Sequence, residues 1–323
     1  MIEAVAVIGP GRMGRQIALT CALGGCRALL IDLKPRSDAR AALADARREI
    51  ARDLRLMAEE GVISAGEIPP TLARLEDRRG LDGLESCGFV QEALPESVEL
   101  KREVFARLAG RVADDAIVAS TSSTISPRHL ADAVPGPERF LVVHWLNPAH
   151  VIPLVEVVPG AATSAAVVDR TITFLTHLGK TPVRCGDAPG FIVPRLQVVL
   201  MNEAVRLVEE GVATPEDVDI IVRTTFGYRL PFFGPFAIAD MAGLDVYSDG
   251  FRTLQQHYGE RLAAPKLLTD LVSAGRYGVK QGGGFVTPAG EQAPLVAYRN
   301  TAYARLGQLL KELGPVPKGG SDE

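Results

Sequence analysis

The amino-acid sequence lacks the patterns that mark membrane-spanning and nucleic-acid-binding proteins. Its 323 residues contain no apolar run near the roughly 18 residues that a membrane-spanning helix needs. The formal charge is −4, and neither sign of charge is gathered into a block or a stripe. Because phosphate backbones are bound by clustered Lys and Arg, we expect no nucleic-acid partner. Because no apolar run is long enough to span a bilayer, we expect no membrane partner.

Cysteine is scarce, and its spacing indicates neither a disulfide framework nor a metal site. The four cysteines, Cys21, Cys26, Cys87 and Cys185, include no C-x-x-C pair. Reduced, packed thiols are typical of the cytoplasm, where we expect the protein, and we predict no bound metal. A predicted strand begins within a few residues of Met1, so we also expect no signal peptide.

The start of the chain has the pattern of a strand, a glycine-rich turn, a helix and a second strand. The apolar run from Val5 to Ile8 predicts a buried strand, and the turn GPGRMG that follows fits G-x-G-x-x-G. The first glycine permits a tight turn, the second lets backbone approach a pyrophosphate, and the third permits close helix packing. The predicted cofactor-binding residues of this turn are Gly9, Gly11, Arg12, Met13 and Gly14.

An acidic residue follows at the distance expected for ribose recognition. Asp32 ends the predicted strand RALLID, 18 residues beyond Gly14. A carboxylate there binds the ribose 2′-hydroxyl and repels the 2′-phosphate of NADP. We therefore predict NAD as the cofactor, a preference that the neighbouring Lys34 and Arg36 would soften.

Helices and strands alternate as far as about residue 186, and the pattern is helical afterwards. Apolar runs predict further strands at GFVQEAL, AIVAST, FLVVHW, PLVEVV and PVRC, which indicates a doubly wound α/β sheet. We predict a dinucleotide-binding domain over residues 1–187 and an all-α domain over residues 188–323, whose apolar surface favours a homodimer. The predicted helices cover residues 37–61, 97–110, 164–179, 191–211, 214–227, 234–259, 265–274 and 291–313.

Three side chains with the chemistry of alcohol oxidation follow neighbouring strands. His144 lies in FLVVHW, Glu156 in PLVEVV, and Ser122 just after AIVAST. Ligands bind beyond the carboxyl ends of strands in such sheets, and pairing of two strands would bring Glu156 beside the imidazole. A carboxylate there fixes the histidine tautomer, so the ring can take a proton from an alcohol while hydride leaves for a nicotinamide.

From end to end, the chain resembles the 3-hydroxyacyl-CoA dehydrogenase family. The matching stretches are VIGPGRMG, EALPESVELK, STSS, HWLNP, PLVEVV, DAPGFIV, EAVRLVEEG, GPF, ADMAGLD and GVKQGGGF. The resemblance implies a Rossmann domain followed by a helical dimerisation domain like the C-terminal domain of 6-phosphogluconate dehydrogenase. It implies His144 as the general base, Glu156 as its partner, and Ser122 as a group that holds the substrate oxygen and touches NAD. Further NAD contacts that it implies are Glu96, Lys101, Asn147 and Lys280.

Two departures from the family pattern bear on the substrate. Pro194 stands where the family usually has a substrate-binding asparagine, and proline offers no side-chain amide. The helix that meets the CoA nucleotide usually ends with lysines, whereas here Glu59 and Glu60 would repel phosphate. The arginines upstream either compensate or form a solvated face; they are Arg47, Arg48, Arg52 and Arg55.

Three functions follow from these observations. The leading hypothesis is NAD-dependent oxidation of a hydroxyl group in a substrate of the 3-hydroxyacyl-CoA type, a reaction of fatty acid metabolism. The alternative is the same chemistry on a small free hydroxy acid or a ring hydroxymethyl or aldehyde carboxylate, since HWLNPAH resembles the family branch that acts on small carboxylates, including vitamin B6 breakdown. A non-enzymatic NAD-binding protein is the third hypothesis, which Pro194 motivates and the presence of His144, Glu156 and Ser122 opposes.

Overall fold

The computed structural model describes residues 2–34 and 39–315. The chain divides into two compact units, Met1–Met201 and Asn202–Glu323. Among the described residues, the strands are β1 (Ala4–Ile8), β2 (Arg27–Asp32), β3 (Leu75–Arg79), β4 (Phe89–Glu92), β5 (Ile117–Ser120), β6 (Phe140–Trp145), β7 (Leu154–Pro159) and β8 (Thr181–Arg184). The α-helices among them are α1 (Arg12–Leu23), α2 (Ala39–Glu59), α3 (Ile68–Ala73), α4 (Val98–Ala106), α5 (Ala165–His177), α6 (Val193–Glu209), α7 (Pro215–Thr224), α8 (Phe226–Arg229), α9 (Pro235–Ala242), α10 (Leu244–Tyr258), α11 (Lys266–Ser273) and α12 (Gln292–Leu313).

A single sheet forms the centre of the first unit, with the order β3-β2-β1-β4-β5-β6-β7-β8. Neighbouring strands are parallel except β6 and β7, which are antiparallel. The order 3-2-1-4-5-6 is that of a Rossmann fold, whose ligand crevice lies where the strand order reverses, between β1 and β4. The predicted α/β class with a following helical region is confirmed.

Strand β1 is apolar throughout because both of its faces are covered. Val5 and Val7 belong to the core that also contains side chains of α1, α2 and α5. Ala6 and Ile8 face the opposite core, which includes Phe105. Burying a Val or Ile side chain contributes about 1.5–3 kcal/mol to the free energy of folding. Because β1 buries side chains on both faces, packing on both sides of the sheet fixes the position of its carboxyl end.

The structure differs from the sequence-based prediction in several elements, among them helix α3, which was not predicted, and the helix predicted over residues 214–227, which is divided between α7 and α8. Strand β3 was not predicted because LEDRR contains a single apolar residue, Leu75, and among the described strands it pairs only with β2. The helix predicted over residues 234–259 is two helices, which break at Gly243 with φ of 109°. Residues 37 and 38 of the helix predicted over 37–61 lie outside the described residues, as does Arg36, which was expected to soften the preference for NAD.

In the second unit, a loop is fastened to helix α9 by one buried carboxylate. Asp240 is fully buried and accepts hydrogen bonds from the backbone N–H groups of Phe285 (2.8 Å), Val286 (2.9 Å) and Thr287 (2.9 Å). A Cβ on Gly284 would lie 1.9 Å from Asp240 Oδ1, which explains a glycine at that position. The described part of the chain contains no helix both long and apolar enough to cross a membrane.

Candidate active site

The glycine-rich turn between β1 and α1 is shaped by close backbone contacts. Gly9 has φ of 113°, and a Cβ there would lie 2.6 Å from the Ala93 carbonyl oxygen. A Cβ on Gly14 would lie 1.8 Å from the Gly9 carbonyl oxygen, so neither position accepts a larger residue. A Cβ on Gly11 would meet nothing within 4 Å, which leaves open space on the side of the turn that a ligand can approach.

The start of α1 and the end of β2 supply complementary groups for a dinucleotide. Helix α1 begins at Arg12 with no acidic residue in its first turn, and Met13 follows, so the first N–H groups are suited to bind phosphate. Asp32 ends β2 with 6% of its surface exposed, and its Oδ1 accepts a 3.1 Å hydrogen bond from the Lys34 N–H. These residues fit the pyrophosphate and the ribose of NAD.

A histidine and a glutamate face each other across β6 and β7. The antiparallel register makes His144 and Glu156 direct partners, and Nδ1 of the histidine lies 2.7 Å from Oε2 of the glutamate. Their exposed fractions are 5% and 1%. Because Nδ1 is engaged by the carboxylate, Nε2 is the ring nitrogen that can exchange a proton with a ligand.

The second oxygen of Glu156 is bound at the start of α6. Oε1 accepts hydrogen bonds from the N–H groups of Ile192 (2.9 Å) and Val193 (3.0 Å), where the helix dipole favours negative charge. The Cys185 thiol lies 3.8 Å from the same oxygen, and burial together with Glu156 raises the pKa of Cys185 to about 11. Both carboxylate oxygens of Glu156 therefore have partners, which fixes the position of the carboxylate that contacts the imidazole.

Phe191 packs against the imidazole in an uncommon backbone conformation. Its ring centroid lies 5.9 Å from that of His144, and its φ is 40°, a positive value for a residue other than glycine. Such a conformation costs about 1–3 kcal/mol and persists where surrounding structure enforces it. This neighbour of the histidine was missed at the sequence level, although the preceding Pro189-Gly190 indicated a turn.

The segment after β6 is fixed by polar contacts from two other elements. The Gln16 side chain of α1 accepts a 2.9 Å hydrogen bond from the Ala149 N–H. Lys180 Nζ donates to the carbonyl oxygens of Ala149 (2.7 Å) and Ile152 (3.0 Å). Asn147 lies in this segment with its side chain exposed, available to a ligand.

Glu96 organises the serine-rich loop after β5. Its Oε1 accepts hydrogen bonds from Ser122 Oγ (2.5 Å), the Thr124 N–H (2.9 Å) and the Ile125 N–H (3.3 Å). Burial raises the pKa of Glu96, but the hydrogen bonds from Ser122 and Thr124 and the charge of Lys101 outweigh it, so the pKa lies below its ordinary value. Ser122 is buried and also accepts a 2.8 Å hydrogen bond from the Ile125 N–H.

Lys101 is completely buried and forms an ion pair beneath that loop. Its Nζ lies 2.7 Å from Glu92 Oε1 and 2.9 Å from Oε2, and it donates to the Leu94 carbonyl oxygen at 3.2 Å. Glu96 lies further away, at 3.7 Å. Ser120 Oγ donates to Glu92 at 2.5 Å. Glu92 was not singled out from the sequence, although an acid inside a buried apolar strand was a signal.

Lys280 and Pro194, both singled out from the sequence, lie in a loop of the second unit and at the start of α6. Lys280 belongs to the second unit, where it pairs with Asp245 at 2.6 Å and holds the pKa of that carboxyl below its ordinary value. Pro194 lies in the first turn of α6, where no intrahelical N–H donor is required. In residues 2–34 and 39–315, no group of three His, Cys, Asp or Glu side chains is arranged to hold a metal ion.

The arginines of α2 are engaged with neighbouring acids. Arg47 Nε lies 2.8 Å from Asp77, and Arg52 lies 2.8 Å from Glu49. Arg48 pairs with Asp45 on the same helix, and Arg55 is exposed. At the end of the helix, the side chains of Glu59 and Glu60 are both exposed.

A Rossmann sheet with this turn, and a buried histidine–carboxylate pair near the carboxyl edge of β6, are features of an NAD-dependent dehydrogenase of alcohols. The model of the 3-hydroxyacyl-CoA dehydrogenase NAD binding domain matches residues 4–188, and that of the family's C-terminal domain matches residues 190–288. The chain belongs to the 3-hydroxyacyl-CoA dehydrogenase family. It is an NAD-dependent oxidoreductase that acts on CH–OH groups, as predicted.

Relatives of known function represent both kinds of substrate. The chain is 34% identical to 5-formyl-3-hydroxy-2-methylpyridine 4-carboxylate 5-dehydrogenase of Mesorhizobium japonicum, over 90% of this chain and 93% of the relative. It is 36% identical to 3-hydroxybutyryl-CoA dehydrogenase of Mycobacterium tuberculosis, over 88% of this chain and 98% of the relative. The crystal structure of a 3-hydroxyacyl-CoA dehydrogenase from Archaeoglobus fulgidus has a TM-score of 0.79 and 31% identity, over 95% of this chain and 100% of that one.

Proposed function

We propose that His144 is the general base in the oxidation of a 3-hydroxyacyl thioester. The observation that carries this proposal is the buried pair of His144 and Glu156, at 2.7 Å, on adjoining strands near the carboxyl edge of the sheet. When bound, NAD supplies the hydride acceptor. His144 takes the hydroxyl proton at Nε2, and Glu156 stabilises the positive charge that the ring gains.

Ser122 positions the substrate hydroxyl in this proposal. A serine hydroxyl donates one hydrogen bond and accepts two. Ser122 Oγ donates to Glu96 and accepts from the Ile125 N–H, so one lone pair remains for the hydroxyl of the substrate. Its place just beyond β5, the strand that pairs with β6, supports this role.

The cofactor site in this proposal combines the turn after β1 with the loops after β4, β5 and β6. The turn would bind the pyrophosphate and Asp32 would bind the ribose, while Glu96 and Ser122 order the loop after β5. The remaining proposed contacts follow from the family resemblance; they are Lys101, Asn147 and Lys280. We also propose that the cofactor domain ends at residue 187. This boundary is supported by the two family models, because the first ends at residue 188 and the second begins at residue 190.

The second candidate substrate is a small free hydroxy acid or a ring hydroxymethyl or aldehyde carboxylate. Exposed Glu59 and Glu60, and the pairing of Arg47, Arg48 and Arg52 with acids, favour it because they leave little free positive charge for CoA phosphates. The pyridine carboxylate dehydrogenase among the relatives supports it as well. The chemistry at His144 is the same for both substrates.

A substrate panel decides between the two. NADH formation is measured with 3-hydroxybutyryl-CoA, free 3-hydroxybutyrate and an aromatic hydroxymethyl carboxylate. The thioester proposal predicts turnover of the CoA substrate, with a KM that rises several-fold in Arg52→Ala or Arg55→Ala. If the enzyme oxidises only the free acids, and if neither arginine substitution changes their KM, the second candidate substrate class is the correct one. An enzyme that binds NADH and oxidises none of these classes contradicts the proposal.

We further propose that the protein is a cytoplasmic homodimer. Large apolar side chains are exposed on the helices of the second unit, as expected where a partner subunit binds. Examples are Ile220, Phe226, Phe236 and Leu267. The four cysteines are all buried and free, which agrees with a reducing compartment. Light scattering at micromolar concentration tests the dimer, which predicts twice the mass of the 34.5 kDa chain.

A further inference from the structure

A small cavity at the end of β2 gathers three cations around the ribose-binding carboxylate. Its volume is about 340 Å³. It is lined by Asp32, Leu33, Lys34, Arg79, Gly80 and Arg107. The sequence pattern connects Asp32 with the ribose of NAD, whereas Arg79 and Arg107 are too distant in the chain to be associated with that carboxylate.

The fold brings these residues together by strand pairing and by the end of a helix. Strand β3 pairs with β2 in a register that places Arg79 beside Asp32. Arg107 is the C-cap residue of α4 and directly follows Ala106. Lys34 follows Asp32 in the chain, and its N–H binds the Asp32 carboxylate at 3.1 Å.

The three cations differ from most arginines nearby because they have no acidic partner. In the part of the chain that the structure describes, no carboxylate lies within 4.0 Å of the charged groups of Lys34, Arg79 or Arg107. By contrast, Arg78 pairs with Glu76 at 2.5 Å, and Arg111 pairs with Asp82 at 3.5 Å. With three cations and one carboxylate, the described lining of this cavity carries a net positive charge.

We propose that this cavity accepts a 2′-phosphorylated ribose, so that the enzyme binds NADP as well as NAD. A phosphate monoester carries about −1.5 to −2 charge at neutral pH. If Asp32 were the only charged group nearby, its repulsion would keep such a phosphate out of the cavity. The three cations outweigh that repulsion, and the planar guanidinium groups of Arg79 and Arg107 match the geometry of phosphate oxygens. An arginine near the end of the second strand is a general solution for the 2′-phosphate in this type of fold.

This inference rests on the nucleotide site of the proposed function, and binding measurements separate the two. Calorimetric titration of the full-length protein with NADH and with NADPH needs no turnover. We expect a Kd for NADPH within about 30-fold of that for NADH, which corresponds to about 2 kcal/mol. A Kd weaker than this overturns the inference and leaves the NAD site intact, whereas loss of NADH binding in the same titration contradicts the site itself.

Substitution of the arginines tests which groups hold the phosphate. Arg79→Ala and Arg107→Ala should each weaken NADPH binding by about tenfold, the usual effect of losing a charge-assisted hydrogen bond, and change NADH binding less than about twofold. Arg111→Ala is the matched control, because it removes a nearby paired charge that does not line the cavity, and we expect no selective effect. Equal weakening of NADH and NADPH binding in the two test variants would overturn the inference.

Discussion

Glu156 stands directly opposite His144 in the antiparallel pair of β6 and β7, with its Oε2 2.7 Å from the imidazole Nδ1. The backbone register fixes this pairing, and the Ile192 and Val193 N–H groups hold the other carboxylate oxygen. One acid therefore connects the histidine to the first turn of α6. A change in its charge should alter the state of the imidazole without displacing it.

The substitution Glu156→Gln tests this connection. The glutamine oxygen can still accept from the Ile192 and Val193 N–H groups, but its amide donates to Nδ1, so that Nε2 carries the hydrogen and cannot accept a proton. We expect kcat to fall by about 10³–10⁴-fold, as for loss of the orienting acid in a catalytic triad, while the Kd for NADH changes less than about twofold. Glu103→Gln, at an exposed position of α4, is the matched control. Retention of most of the kcat would rule out the orienting role.

The buried pair of Glu92 and Lys101 predicts a strong effect of single substitutions on stability. Glu92→Leu leaves the Lys101 ammonium, which is fully buried, without its main partner, and should lower the free energy of unfolding by about 3–5 kcal/mol. The double variant Glu92→Leu with Lys101→Met should recover most of that loss, since an apolar pair of similar volume needs no compensating charge. Urea unfolding measures both effects. A double variant no more stable than Glu92→Leu contradicts this account.

The same double variant separates two roles of Lys101. If Lys101 mainly supports the loop that carries Glu96, the double variant should bind NADH with nearly the affinity of the wild type. If its ammonium contacts the cofactor, the affinity should fall by about tenfold while the stability recovers. Calorimetric titration of NADH distinguishes these results.

The lowered pKa of Glu96 predicts a dependence of stability on pH. A carboxyl whose pKa is lower in the folded state stabilises the protein above its unfolded pKa, and that contribution is lost as the pH falls through the folded value. The free energy difference between wild type and Glu96→Gln should therefore be largest above about pH 4.5, the ordinary pKa of glutamate, and should shrink as the solution becomes more acidic. Urea unfolding at several pH values measures it. A difference that grows in acid would contradict the hydrogen bonding described for Glu96.

The cysteines are predicted to be unreactive in the folded protein. Burial raises the pKa of Cys26, Cys87 and Cys185, the last to about 11, and it raises that of Cys21 as well. Because the thiolate is the reactive form, a chromogenic disulfide reagent at pH about 8 should react very slowly with the native protein. All four thiols should react at once in concentrated urea. Rapid reaction of a thiol in the native state would show that its surroundings are more open than the structure indicates.

The sequence predicted the elements better than the contacts between them. Strands such as β1 and β6 were recognisable because they are buried on both faces and therefore apolar throughout. Strand β3 was not, because an edge strand with one covered residue has no such pattern. The pairing of Glu92 with Lys101, the position of Phe191 and the approach of Arg79 to Asp32 depend on tertiary packing and strand register, which have no local signal.

The most direct test of the central claim is the turnover of His144→Gln. Glutamine keeps much of the size of the imidazole but cannot accept a proton near neutral pH, so kcat should fall by about 10²–10⁴-fold while NADH binding stays close to that of the wild type. His177→Gln, at the exposed end of α5, is the control and should keep wild-type activity. If His144→Gln oxidises the best substrate of the panel at nearly the wild-type rate, proton transfer by His144 is excluded.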